Sequence, residues 1–199
     1  MQDWPTLVRR FIAVMLAISL PPAILYWFII HPFIGFWRRM GLTVTYVFLM
    51  VFYLGSMVGL YLVRDTLLGR DLGTSVPLMV LAAPLMAVAI VISRKRRKYL
   101  TFARLAGVPE IAPEKHGIGL LREGIYSRMR HPRYVEFSLA LVAWALFANF
   151  VGLYWMVGVT LVLLYLIVLM EERELRERFG QEYVEYSARV PRFIPRRQV

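Results

Sequence analysis

The chain contains no cysteine, which removes disulfides, thiolate nucleophiles and cysteine-based metal sites together and leaves the redox compartment unreadable. Histidine is almost as scarce. His31, His116 and His131 stand far apart with none of the spacings that assemble a metal centre, so no metal is expected. No P-loop, nucleophile elbow or metalloprotease helix is present, and Gly117-Ile-Gly119 lacks the preceding strand and full spacing of a nucleotide fingerprint. Formal charge is nearly absent from the apolar runs, which argues against a small transporter or channel moving ions or protons. Acidic residues are few as well, 13 against 24 basic, for a net charge of +11. Such a balance suits nucleic acid, an anionic membrane surface or an acidic small molecule. With 59% hydrophobic residues, well above the average for soluble domains, the last two are favoured and no nucleic-acid partner is expected.

Long apolar runs are what the chain does have. Residues 11–30, 42–63, 76–93, 134–150 and 152–170 each approach the roughly 17 to 25 residues that a helix needs to cross a bilayer. The spacing predicts an all-α, polytopic membrane helical bundle with about five spans, four if the short 134–150 run does not cross by itself. Only Asn149 to Gly152 separates the last two runs, so they form a C-terminal helical hairpin. The first run is long for a secretory signal and lacks a small-x-small site before His31-Pro32, so it reads as a retained helix. Pro21-Pro22 and Pro84 predict kinks. Gly55 and Gly59 form a GxxxG pattern that admits a close helix neighbour, either within one bundle or in a dimer.

Basic residues set the predicted orientation. Eleven Lys and Arg lie in residues 94–133, opening with Arg94 to Lys98, and seven follow Met170. The positive-inside rule places both segments in the cytoplasm, with the N-terminus outside for five spans. The chain is thus divided into a three-helix membrane core (1–93), a basic cytoplasmic connector (94–133), and a half made of the hairpin and a cytoplasmic C-terminal helix (134–199). Because the hairpin leaves and returns on one side, Arg130 to Tyr134 and Glu171-Glu172 flank it at similar depth.

Several of these residues have ordinary explanations. Arg94 to Lys98 serve as a stop signal that also attracts anionic headgroups, and Pro132 suits a helix start. Glu172 to Arg176 and Glu174 to Arg178 have the spacing of helix-surface ion pairs, and Glu136 can pair with Arg133 one turn away. At about 100° per residue, however, Glu171 and Glu172 fall on either side of the apolar face of Leu175 and Phe179, while Arg173 and Glu177 point away. Carboxylates at a membrane boundary that face protein have a partner or a job.

Gly124-Ile-Tyr126, then Arg130-His-Pro-Arg-Tyr134, an apolar hairpin, Glu171-Glu172, Phe179-Gly180-x-x-Tyr183-x-x-Tyr186 and Arg189-Val-Pro191 together resemble the isoprenylcysteine carboxyl methyltransferase and phospholipid methyltransferase superfamily of integral-membrane enzymes. The resemblance implies an S-adenosyl-L-methionine-dependent methyltransferase, with its cofactor enclosed near the cytoplasmic face. The acceptor it implies is lipid-like or apolar, a prenylcysteine-type carboxylate or a phospholipid amine. Tyr126, His131, Pro132, Tyr134, Glu171 and Glu172 are then cofactor-binding. Arg130 and Arg189 are catalytic and face the acceptor, alongside Glu136 and Tyr186. One departure is Glu136, where the family often has glycine. The chemistry is consistent: a carboxylate accepts hydrogen bonds from ribose hydroxyls, and arginine grips a carboxylate through two parallel bonds. A carboxylate acceptor needs no base, whereas an ammonium must first lose a proton, with Tyr126, Tyr134 or Glu136 able to assist. The alternative reading is a non-catalytic membrane module whose basic loop recruits anionic lipid or a protein partner.

Overall fold

The computed structural model describes residues 3–30, 32–99 and 119–195. His31, His116, Gly117 and the middle of the basic connector lie outside the described residues. Seven α-helices and one 3-10 turn are described: α1 (Trp4–Ile30), α2 (Ile34–Leu62), α3 (Arg64–Leu68), α4 (Val76–Arg97), the turn Gly124–Ser127, α5 (Pro132–Ala148), α6 (Val151–Phe179) and α7 (Gln181–Arg189). The chain is an all-α, polytopic membrane bundle. Helix is the form such runs take because lipid offers no partner to a free N–H or C=O, so the bonds close within the segment.

Four helices are long and apolar enough to span: α1, α2 from Gly35, α4 and α6. The fifth predicted run forms α5, whose 17 residues rise only about 25 Å at 1.5 Å each, short of the roughly 30 Å hydrocarbon core. α5 packs along α4 and also touches α1 and α6. α1 and α4 each remain one helix through their prolines. The break comes instead at Gly41, where φ is 78°. The short helical piece before it is fixed by Trp37, whose indole N–H donates to the Ile29 carbonyl at 2.9 Å, and the buried Thr45 hydroxyl donates to the Gly41 carbonyl at 2.8 Å.

The main core lies between α1 and the α5–α6 hairpin. Ala13, Ala17, Leu20 and Ile24 recur at helical spacing on α1 and meet Leu141, Ala145 and Ala148 of α5 and Leu153, Val157, Leu164 and Val168 of α6. Small residues let these backbones approach closely, which is how helices cohere when lipid is as apolar as their side chains. The opposite faces carry exposed Val47, Val51, Leu54 and Val58 on α2 and Val159 and Val162 on α6, as expected of surfaces wetted by acyl chains. Gly55 and Gly59 are exposed, with no described atom near either, so the GxxxG face is not used for packing among the described residues.

The hairpin tip is pinned by a polar clasp. Arg9, 1% exposed, donates to the Ala148 carbonyl (3.0 Å), the Thr74 hydroxyl (3.2 Å) and the Asp71 carboxylate. Its guanidinium also lies 5.7 Å from the centre of the Phe150 ring. Asn149, in the left-handed region at φ 58°, ends α5 and donates from its side chain to the Gly73 carbonyl at 2.9 Å. Behind it, Gly152 sits against the end of α3 so closely that a Cβ would overlap the Leu67 carbonyl. The tip is thereby set in depth, and with it the polar ends of α5 and α6.

Candidate cofactor and acceptor cavity

α6 does not stop where its apolar run does. It continues past Met170 to Phe179 because Glu171 to Arg178 are good helix formers. Gly180, at φ 52°, then turns the chain into α7, a conformation that glycine adopts without a Cβ penalty. α7 is amphipathic, with Tyr183 and Tyr186 buried on one side. After Pro191 the chain doubles back: the Arg130 and His131 amides donate to the Pro191 and Arg192 carbonyls at 2.9 and 3.1 Å. Phe193 is thereby seated near His131 and Tyr165, with ring centres 6.2 and 6.3 Å away.

Inside this crossing Glu172 is 2% exposed and saturated. Its Oε1 accepts from Arg130 Nε and Nη2 (3.1 and 2.8 Å), His131 Nε2 (3.1 Å) and Arg192 Nε (3.0 Å), and its Oε2 accepts from Arg192 Nη2 at 2.6 Å. A carboxylate beside His131 Nε2 assigns the proton to that nitrogen. Arg130 spends its Nη1 on the Ser187 and Val190 carbonyls, at 2.6 and 2.7 Å. One buried anion thus ties together the start of α5, the end of α6, the end of α7 and the returning tail. The hydrogen bond and charge of Glu172 hold the Arg192 guanidinium above its ordinary value, against burial.

Beside this hub lies a cavity of about 180 Å³ lined by Trp27, Gly119 to Leu121, Tyr126, Arg130 to Tyr134, Glu171, Leu175, Arg178, Phe179, Tyr183 and Tyr186. Glu171 stands 3.7 Å from His131 Nδ1, beyond hydrogen-bond range. Its Oε2 is buried with no hydrogen-bond partner among the described residues, and so is the Tyr183 hydroxyl. Buried polar atoms are rarely left so unless something else binds them. Burial foremost, with the Glu172 charge adding to it, pushes the Tyr183 phenol up to about 12. Burial also pushes Tyr126 up to about 12, opposed by the Arg96 charge. Burial likewise raises Tyr186, whose hydroxyl donates to the Tyr126 carbonyl at 2.7 Å. All three therefore stand as neutral phenols at physiological pH.

Of the residues expected at the site, Tyr126, Arg130, His131, Pro132, Tyr134, Glu171 and Tyr186 line this cavity. Glu172 adjoins it as the hub. Arg189 does not reach it: its side chain is 77% exposed and pairs with Glu185 at 3.5 Å. Arg192, three residues on, joins the Glu172 hub beside the cavity. Its signal in the sequence is Pro191, which ends α7 and lets the next residues turn back. Glu136 is also elsewhere, gripping Arg96 of α4 at 2.7 and 3.3 Å rather than Arg133. Arg133 lies over the Trp27 ring, 5.1 Å from its centre. Leu175 and Phe179 face the cavity, while Arg173 and Glu177 pair outside it at 3.0 Å. Glu172 has no bond to Arg176, its acceptor capacity being taken by Arg130, His131 and Arg192. Among the described residues no group of three or more potential ligands is arranged to hold a metal.

Comparison with known proteins bears on the same region. The chain is 35% identical over 74 residues to methanethiol S-methyltransferase 1 of Bradyrhizobium diazoefficiens, covering 37% of this chain and 25% of that protein. It is 34% identical over 94 residues to protein-S-isoprenylcysteine O-methyltransferase B of Arabidopsis thaliana, covering 38% of this chain and 39% of that one. The chain therefore spans well under half the length of either relative. No solved structure matches it significantly. The model of the phospholipid methyltransferase family matches residues 75–182, from the start of α4 into α7 and including both glutamates. With more than half of its length so matched, and with the motifs of the wider isoprenylcysteine methyltransferase-like superfamily in order, the chain belongs to the phospholipid methyltransferase family.

Proposed function

We propose that this protein is an integral-membrane methyltransferase that takes its methyl group from S-adenosyl-L-methionine and passes it to a lipid-like or apolar acceptor at the cytoplasmic boundary. The observation that carries this reading is the cavity beside the Glu172 hub, in which one carboxylate oxygen of Glu171 and the hydroxyl of Tyr183 are buried without partners. These two, with the aromatic faces of Tyr126, Tyr134 and Phe179, suit a ligand that has a flat heterocycle and several donors, as the cofactor has. When bound, the cofactor supplies a methyl group activated on a sulfonium.

The chain's own residues divide the work. Glu171 takes the donors of the ligand. Tyr183 gives or takes one further hydrogen bond. Glu172, expected to touch the cofactor, has no acceptor capacity left, and instead fixes Arg130, His131 and Arg192 in place. Arg130 is likewise committed, so its part is to hold the tail over the cavity, and Arg189 has no part in the cavity. In-line displacement needs alignment and exclusion of water more than acid–base help, and the hub and the apolar walls provide both. The cation-rich end of α4, with Arg94, Lys95, Arg97 and Lys98 exposed, supports a cytoplasmic site by the positive-inside rule. An apolar acceptor would enter from lipid, between helices, and the water-soluble cofactor from the cytoplasm.

Calorimetric titration of the detergent-solubilised protein with S-adenosylhomocysteine tests this. The parent should bind in the micromolar range, and Glu171→Gln should weaken binding about tenfold by loss of charge-assisted hydrogen bonds. Incubation with methyl-labelled cofactor and total lipid extract should label a lipid-soluble product. Equal binding by parent and variant sinks the assignment of Glu171. No binding and no labelled product would favour the recruiting module.

A further inference from the structure

Of the three arginines that line the cavity, Arg130, Arg133 and Arg178, two are accounted for by partners in the fold. Arg130 and Arg192 are held by Glu172, and Arg96 by Glu136. Arg122 is paired with Glu182, and Arg178 lies over Phe179, 5.2 Å from the ring centre. Arg133 stands in the first turn of α5 and lines the cavity. Its sequence neighbour for a helix-surface pair, Glu136, has been taken by Arg96 on the adjoining helix. Among the described residues its guanidinium makes no hydrogen bond or ion pair; its contact is the face of Trp27. An arginine held over an indole face spends none of its N–H donors on that contact, so they stay available to a ligand.

Trp27 gives this position a direction. It is near the end of α1, lines the main cavity, and also walls a smaller one with Phe28, Ile167, Met170 and Glu171. The Trp27–Arg133 pair therefore stands where the apolar surface of α1 and α6 meets the polar cavity. Arg130 and Arg189, the two arginines that the sequence motifs nominate for an acceptor's anionic group, are unsuited: the first is committed on three sides and the second faces away. Trp27 precedes residues 75–182, the part shared with the family model.

We propose that Arg133, oriented by the Trp27 ring, is the specificity-determining residue that receives the singly charged anionic group of an apolar acceptor at the membrane-side mouth of the cavity. The inference rests on the reading of the cavity as an acceptor site and names the class: an apolar chain that carries a phosphodiester or a carboxylate beside the atom to be methylated. A guanidinium fork binds either through two parallel N–H···O bonds.

Binding without cofactor tests it separately from methyl transfer. Protein in a non-ionic detergent is titrated calorimetrically with four probes: N-acetyl-S-farnesylcysteine, its methyl ester, dihexanoyl phosphatidylglycerol and the phosphate-free dihexanoylglycerol. At least one anionic probe should bind the parent about tenfold more tightly than its neutral counterpart. Arg133→Gln should bring that probe down to the neutral level, the size expected for a lost charge-assisted pair. Arg133→Lys should keep part of the difference, and Trp27→Leu should lose less than Arg133→Gln. Dependence confined to one anionic probe identifies the group as phosphodiester or carboxylate. The inference is overturned if neither acid outbinds its neutral partner, if Arg133→Gln binds the acids like the parent, or if it weakens acid and neutral probes alike. S-adenosylhomocysteine binding by the parent reports on the methyltransferase reading independently, so that either can fail alone.

Discussion

Replacing Glu172 by alanine should unfasten four segments at once. The carboxylate is 3% exposed as a side chain and neutralises Arg130, 11% exposed, and Arg192, 29% exposed. Removing one partner of a buried ion pair costs about 3–5 kcal/mol because the other charge is left without compensation. Two features pull the figure to the lower end. Arg130 keeps the Ser187 and Val190 carbonyls, and Arg192 swings readily into water. A loss of about 3 kcal/mol corresponds to a fall of roughly 6–12 °C in the unfolding midpoint for a chain of this size, measurable by tryptophan fluorescence in detergent. Glu172→Gln, which retains one acceptor oxygen, should lose less. The double variant Glu172→Ala, Arg192→Met should recover part of the loss, since the two residues share one interaction. A midpoint for Glu172→Ala within about 2 °C of the parent, some 0.5–1 kcal/mol on the same scale, would refute the view of Glu172 as the hub of the fold here. So would strict additivity with Arg192→Met.

Other perturbations separate structure from binding. Tyr183→Phe removes a buried hydroxyl that has no described partner, so it should leave the midpoint unchanged or raise it by up to about 1–3 kcal/mol in stability, yet weaken S-adenosylhomocysteine in titration. Because the folded-state pKa values of Tyr126 and Tyr183 lie at about 12 and the free value near 10, their contribution is full below pH 10 and is lost as the pH climbs through 12. Tyrosinate absorbance should show ionisation of these two coinciding with alkaline unfolding, and early ionisation in the folded protein would count against their burial. Arg9→Met takes the guanidinium from the Ala148 carbonyl and leaves Asp71 with the Gly73 amide alone; it should lower stability by about 2–4 kcal/mol, less than a fully buried pair because Asp71 is 39% exposed, and an unchanged melting curve would show that the clasp is dispensable. Exchanging Arg96 and Glu136 for one another should restore most of the stability that either single reversal loses, and a swap no better than the single variants would mean that geometry, not charge, joins α4 to α5.

Legibility in the sequence followed the range of the interaction. Apolar runs specify helices locally, and four of the five met the spanning length. The placement of Leu175 and Phe179 toward the cavity, with Arg173 and Glu177 outward, follows from helical periodicity alone and is what the structure has. Partner choice was not legible wherever two partners competed. Glu136 had Arg133 one turn away, but the guanidinium that reached it belongs to Arg96, 40 residues earlier. Local spacing limits what can touch; tertiary packing decides what does. Arg189 lies away from the cavity for a related reason: α7 is still helical there, and its buried side belongs to Tyr183 and Tyr186. Past Pro191 the chain is free to turn, which brought Arg192 inward. Pro21-Pro22 and Pro84 were accommodated within α1 and α4, whereas an unremarked Gly41 set the bend.

The α5–α6 hairpin is held at both ends by side chains of α1: Arg9 at the tip and, where α5 begins, Trp27 against Arg133. Both anchors lie outside residues 75–182, the stretch shared with the family. The family-defining half is thus inserted between two fittings from the first helix, some eighteen residues, or about 27 Å of helix rise, apart. Transplanting that half onto another N-terminal region would carry over the glutamates and the motif histidine but neither fitting. A chimera should thus require Arg9 and Trp27 in register before the hairpin is seated as it is here, which makes the first helix a structural part of the family-defining half although it lies outside it.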